Sequence, residues 1–186
     1  MTELDIINAC IATQGQAPLN SLAAAHPLKS AIQNELENIR RRVLSRGWWF
    51  NREPLTYEPD IAGRIIVAGD ALTVRAQDRS RKVARRGSNL YDVTNGTDLF
   101  TTSIKVIVVR DIPLEQLEEV AAQYIRALTL EWFVAAYDGT TKVSSERERI
   151  DLNAEETRNS PDNWLMSSPR VQRTRAIRAG VRGFIG

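Results

Sequence analysis

The sequence predicts an α+β protein: a four-helix bundle with an antiparallel β region inserted between helices 2 and 3, and an extended basic C-terminal arm. Three observations predict it. Apolar residues recur at helical spacing near both ends of the chain, while the middle changes to short β-prone runs separated by turn residues. The last stretch is rich in Gly, Pro and Arg and cannot build a core of its own. The expected division is 1–47 and 111–160 for the bundle, 48–110 for the β region and 161–186 for the arm.

Leu4, Ile7 and Ile11 mark a first helix over 3–14, closed by Gly15. A stronger one follows Pro27, which suits a first-turn position, with Leu28, Ile32, Leu36, Ile39 and Val43 on one stripe. Glu37 and Arg41 make an i,i+4 pair, and Gly47 supplies a left-handed stop. Strands are expected at 48–51, 55–57, 65–67, 72–75, 83–85, 90–93 and 104–109. The last of these carries Ile104, Val106 and Val108 on one face and Ile107 and Val109 on the other, the pattern of a strand covered on both sides. Helical spacing returns at Pro113, with Leu114, Leu117, Ala121, Tyr124, Leu128, Trp132 and Ala135 as the stripe, widened by Ile125 and Phe133, and a stop at Asp138-Gly139. A fourth, poorly apolar helix from about Ser144 to Asn159 should lie on the surface, with Ser145 and Glu148 spaced as a capping box and Pro161 ending it.

Composition excludes much. Apolar residues are 42% of the chain, enough for a core. No apolar run reaches the roughly 18 residues of a membrane span. Glu3 and Asp5 sit where a secretory signal would be basic, so none is expected. Cys10 and His26 are the only residues of their kinds, which removes intrachain disulfides, Cys/His zinc sites and Ser-His-Asp or Cys-His catalysis. Cys10 reads as a small core residue and His26 as a helix-entry residue. No cofactor, metal or catalytic residue is expected.

The net charge of +2 hides a segregation. Residues 75–86 hold six bases against Asp78, a net +5; residues 110–160 hold eleven acids against six bases, a net −5; residues 161–186 hold five arginines against Asp162, a net +4. Such faces are either solvated surface or contacts with charged partners, copies of this chain included.

The order of elements and several short motifs resemble the tail tubular protein A family, the adaptor or gatekeeper ring subunits of short-tailed bacteriophages. The resemblance is carried by Ile7-Asn8-Ala9-Cys10-Ile11-Ala12 with Gly15, Pro18 and Ser21-Leu22, and by Leu44-Ser45-Arg46-Gly47-Trp48-Trp49-Phe50-Asn51. Further matches are Leu72 after Gly69-Asp70, Arg86-Gly87-Ser88-Asn89-Leu90-Tyr91-Asp92 and Tyr124-Ile125. It spans about residues 1–165. The resemblance implies a non-enzymatic structural protein of the virion tail, assembled in the host cytoplasm into a dodecameric ring between the portal and the tail nozzle protein. Double-stranded DNA would pass through its channel without sequence recognition.

Candidate interface residues follow. On alternating strand faces Trp48 and Phe50 would be buried together, leaving Trp49 to turn either into the protein or towards a neighbour, where tryptophan is a frequent anchor. Arg81, Lys82, Arg85 and Arg86 would meet an acidic face of the next subunit. Arg170, Arg173, Arg175, Arg178 and Arg182 would tie the arm to the portal or to DNA phosphate. Two other readings are possible for the same residues. A non-enzymatic DNA-binding protein lacks aromatic interleaving in its basic runs, and a virion-associated glycan hydrolase needs two convergent carboxylates, whereas Glu146, Glu148, Glu155 and Glu156 fall on one solvated helix.

Overall fold

A computed structural model describes residues 1–137 and 143–160. Helix α1 (Glu3–Thr13) begins at a reciprocal cap: the Asp5 N–H donates to Thr2 Oγ1 at 3.3 Å, and the Thr2 N–H donates to Asp5 Oδ2 at 2.8 Å. Helix α2 (Lys29–Leu44) starts two residues after Pro27, which lies outside it. Instead His26 Nδ1 accepts from the Leu28 N–H at 3.2 Å, while Nε2 meets Gln16 Oε1 at 2.7 Å, so the histidine does organise the helix entry. Ile32, Leu36, Ile39 and Val43 are all buried, as their spacing requires. The expected Glu37–Arg41 pair is replaced: Glu37 binds Arg40 at 2.8 Å, and Arg41 faces Asp111 at 3.7 Å.

Five strands separate α2 from α3. They are β1 (Arg52–Tyr57), β2 (Ala71–Ala76), β3 (Val83–Arg86), β4 (Asn89–Asp92) and β5 (Ile104–Arg110). β5 is the centre of an antiparallel sheet ordered β1-β5-β2, and β3 pairs with β4 as a hairpin. Ile104, Val106 and Val108 are buried on one face of β5, and Val109 on the other, while Ile107 is half-buried. Two expected strands fail. Residues 48–51 form a turn, closed by the Asn51 N–H on the Trp48 carbonyl at 3.1 Å, so of the three aromatic residues only Trp48 is fully buried, and Trp49 and Phe50 stay half-exposed. Residues 65–67 keep one bridge, Ile66 to Asn89, flanked by the Leu90 N–H on the Ile65 carbonyl at 2.9 Å and the Val67 N–H on the Ser88 carbonyl at 2.8 Å.

A short 3-10 turn (Leu114–Gln116) follows Pro113, and helix α3 (Glu119–Tyr137) begins only after Leu117 has taken an extended conformation, later than the spacing predicts. Its deepest residues are Ala121, Ala122, Ile125, Thr129, Phe133 and Val134. The buried face is therefore rotated from the expected stripe, and Tyr124, Leu128 and Trp132 sit at its half-buried margin. Contact with three elements moves the face: α3 packs against α1, α2 and α4. Helix α4 (Glu146–Asn159) buries only Leu152 and lies on the surface as expected. Its capping box does not form, because Ser145 Oγ donates instead to Glu131 Oε2 of α3 at 2.6 Å. The expected stops at Asp138-Gly139 and Pro161, and the whole arm, lie outside the described residues.

One apolar cluster joins Ile6, Leu36, Ile39, Trp48, Ile125 and Leu152; a second gathers Ile7, Cys10, Ile11, Ile32 and Phe133. A third lies under the sheet and includes Ile65, Val67, Leu90, Phe100 and Val106.

Candidate assembly surfaces

Two polar constellations fix the surfaces that the sequence singles out. The first is the seam between helices and strands. Gly47 leaves α2 at φ +78°, in the left-handed region, where a side chain would also strike Val109 Cγ2 at 2.9 Å. That turn delivers Trp48 into the helical core, with its indole N–H on the Val43 carbonyl at 2.8 Å. Asn51, buried, then uses both ends of its amide. Oδ1 accepts from the Trp48 N–H at 2.7 Å, and Nδ2 donates to the carbonyls of Leu44 at 3.1 Å and Arg110 at 2.9 Å. Arg40 completes the seam from α2, reaching Asp111 and the Ile112 carbonyl. The hydrogen bond that Arg40 donates to Glu37 is the largest of the interactions that raise the Arg40 pKa, ahead of that to Asp111.

Trp49 belongs to this seam as well. Its N–H donates to Glu156 Oε2 at 2.8 Å, its ring meets Phe50 edge-on at 4.9 Å, and Glu156 Oε1 holds Arg52 at 2.6 Å. Half-buried, it is tethered through its backbone rather than presented freely.

The second constellation is the hairpin. Asp92, with no side-chain exposure, accepts from the Thr94 and Asn95 N–H groups at 3.0 Å each, from Asn95 Nδ2 at 2.9 Å and from Arg81 Nε at 2.7 Å. Burial pushes its pKa up, but the bonds from Asn95 and Arg81 outweigh burial and hold the carboxyl below its ordinary value. Arg81 also lies over the Phe100 ring at 5.3 Å. Arg85 donates to the carbonyls of Gly87 at 2.8 Å and Ala71 at 2.7 Å. Arg86 stacks on Tyr91 with 3.4 Å to the ring centroid, and Lys82 is exposed.

The four basic residues named together in the sequence therefore divide. Arg81 and Arg85 spend their donors inside the chain, while Lys82 and Arg86 face solvent with no carboxylate partner among the described residues. Arg75 and Arg79, counted in the same basic run but not singled out, are exposed with no ion pair among the described residues. Burial pattern, not charge count, separates these classes. Arg170, Arg173, Arg175, Arg178 and Arg182 lie outside the described residues.

The acids of α4 are mostly engaged. Glu155 binds Arg158 at 2.6 Å, Glu146 binds Arg149, and Glu156 serves the seam. Glu115, Glu118, Glu119 and Asp151, by contrast, are exposed and have no cation within ion-pair reach among the described residues. Cys10 is a buried core thiol whose pKa is pushed up to about 12 by burial. No helix among the described residues is long and apolar enough to cross a membrane.

Comparison with known proteins gives the family. The family model described as tail tubular protein matches residues 4–163. The chain is also 30% identical over 129 residues to tail tubular protein A of Klebsiella phage KP34, covering 69% of each protein. The match takes in the seam, the hairpin and all four helices, and on it the chain belongs to the tail tubular protein family, structural components of bacteriophage tails.

Proposed function

We propose that the chain is the subunit of a ring that joins the phage portal to the tail nozzle and leaves a central channel for double-stranded DNA. The observation that carries this reading is the family match across the seam and the hairpin together with the unpaired charges of opposite sign on the two halves of the chain. A ring of identical subunits needs two different, mutually complementary faces on each copy. In this reading the four helices form a bundle in the ring wall, the β region reaches a neighbouring subunit, and the arm at 161–186 reaches the portal. The DNA that passes would be met through phosphate charge alone, so a mixed or acidic channel lining would let it slide where a wholly basic one would grip it. The role is mechanical and asks for no cofactor.

The test is the mass of the purified protein, alone and with portal, by native mass spectrometry and sedimentation. A closed ring, alone or on the portal, is the expected result. A chain that stays single in both conditions overturns the reading. Truncation after Leu165 adds a second arm to the test: the shortened protein should fold and form rings yet fail to join empty portals.

A further inference from the structure

We propose that the outer face of the β3–β4 hairpin docks into the groove between α3 and α4 of a second copy of this chain. The inference rests on the adaptor-ring reading and names the two faces that meet.

The strand register divides the hairpin. Leu90 and Asp92 are buried on its inner side, so Ala84, Arg86, Asn89 and Tyr91 take the outer one. Ile66 joins that outer side through its bridge to Asn89, and Lys82 and Val93 sit at the hairpin's other end, joined by the Val93 N–H on the Lys82 carbonyl at 2.8 Å. Ile66 is 66% exposed and Val93 47%, and both are large apolar groups left in water. Beside them stand the cations of Lys82 and Arg86, neither paired with an acid among the described residues. The face thus carries an exposed apolar group and an unpaired cation at each end, with the Asp92 loop closing the turn behind it.

The groove between α3 and α4 has the inverse character. It holds about 390 Å³, with Glu119, Glu148 and Asp151 on its walls beside half-buried Val120, and its one cation among the described residues, Arg158, is already paired with Glu155 at 2.6 Å. Glu119 and Asp151 meet no cation among the described residues, and Glu148 Oε2 is shut off from solvent with no hydrogen-bond partner there. A carboxylate oxygen without water or donor is costly, and a Glu148 side chain turned outward would meet a cationic side chain at the groove. Within one chain no hydrogen bond or ion pair among the described residues links the hairpin to α3 or α4, so the two faces do not neutralise each other. A second copy brings both. Because the faces differ, each copy uses one as donor and the other as acceptor, and the contact propagates round a ring.

The experiment reverses each face by itself. Lys82→Glu with Arg86→Glu makes the hairpin acidic; Glu119→Lys with Asp151→Lys makes the groove basic. None of the four residues carries the fold, and circular-dichroism melting checks that each variant is native. In sedimentation each half-reversed variant should associate at least about tenfold more weakly than the unaltered chain, since like charges then face each other. An equimolar mixture of the two should assemble again, and so should one chain carrying all four changes. If a reversal fails to fold, Lys82→Gln with Arg86→Gln replaces it, with weakened assembly again expected. Half-reversed variants that assemble as tightly as the unaltered chain, or a mixture that stays apart, overturn the pairing while leaving the ring reading intact. An unaltered chain that stays single with and without portal overturns the ring reading and this pairing with it.

Discussion

The helices and the β region carry similar densities of charge and dispose of it in opposite ways. On the helices, acids and bases pair within one turn: Glu37 with Arg40, Glu146 with Arg149 and Glu155 with Arg158 are all three residues apart and open to solvent on at least one side. In the β region and along its seam the pairs join separate segments: Arg81 with Asp92 and Arg52 with Glu156 are more enclosed, while Arg110 with both Glu53 and Asp70 is as open as Glu37 with Arg40. A local pair on a helix adds little, because the helix exists without it and water screens it. A long-range pair around a buried carboxylate is different, since losing one partner leaves a desolvated group behind. Counting charges by segment therefore overstates how much of the basic run is free to meet a partner.

The comparison breaks most severely where the two regions join. Gly15 and Gly47 both close helices at positive φ, +67° and +78°, but nothing lies within 4 Å of a side chain at Gly15, whereas one at Gly47 meets Val109 at 2.9 Å. Gly15→Val should cost about 1–2 kcal/mol, the conformational part alone. Gly47→Val adds overpacking against a buried strand and should cost about 3 kcal/mol or more. Urea unfolding of the two variants measures the difference, and equal losses would show that the seam gives way without strain.

The next effect sharpens the contrast within the hairpin. Arg81→Ala removes the cation from buried Asp92 while three other donors remain, and should destabilise by about 2 kcal/mol. Lys82→Ala, one residue on, should stay within about 0.5 kcal/mol. Matching losses at the two sites would mean that Arg81 is as free as Lys82.

A pH series reads the same carboxylate directly. Asp92 titrates below its ordinary 3.8, so its contribution is complete above that value and is lost as pH falls through the lowered one. Stability should drop in acid, and Asp92→Asn, less stable at neutral pH, should show a shallower drop between about pH 4 and pH 2. Glu37 is also held low, chiefly by its hydrogen bond from Arg40, but its side chain is 52% exposed and Glu37→Gln should flatten the acid limb far less. The smallest effect belongs to the helical pairs themselves: Arg158→Ala should change the unfolding free energy by less than about 0.5 kcal/mol.

Features that depend on neighbours along the chain are legible in the residues alone. Apolar spacing placed α1 and α2 to within two residues, Gly47 announced its left-handed turn, and five of the seven expected β runs fall in β1 to β5. The thin apolar content of α4 told of a surface helix. The remaining features depend on competition from distant segments. Trp48-Trp49-Phe50-Asn51 has the composition of a strand, yet Asn51 bonds Trp48, Leu44 and Arg110 at once and bends the segment into a turn. Glu131 of α3 takes the Ser145 hydroxyl from the capping box that local spacing offers, and packing against three helices rotates the buried face of α3. Asp92 claims Arg81, while the carbonyls of Gly87 and Ala71 claim Arg85, so which arginines remain for a partner follows from burial and hydrogen bonding across the fold, to which a count of charges along the chain is blind.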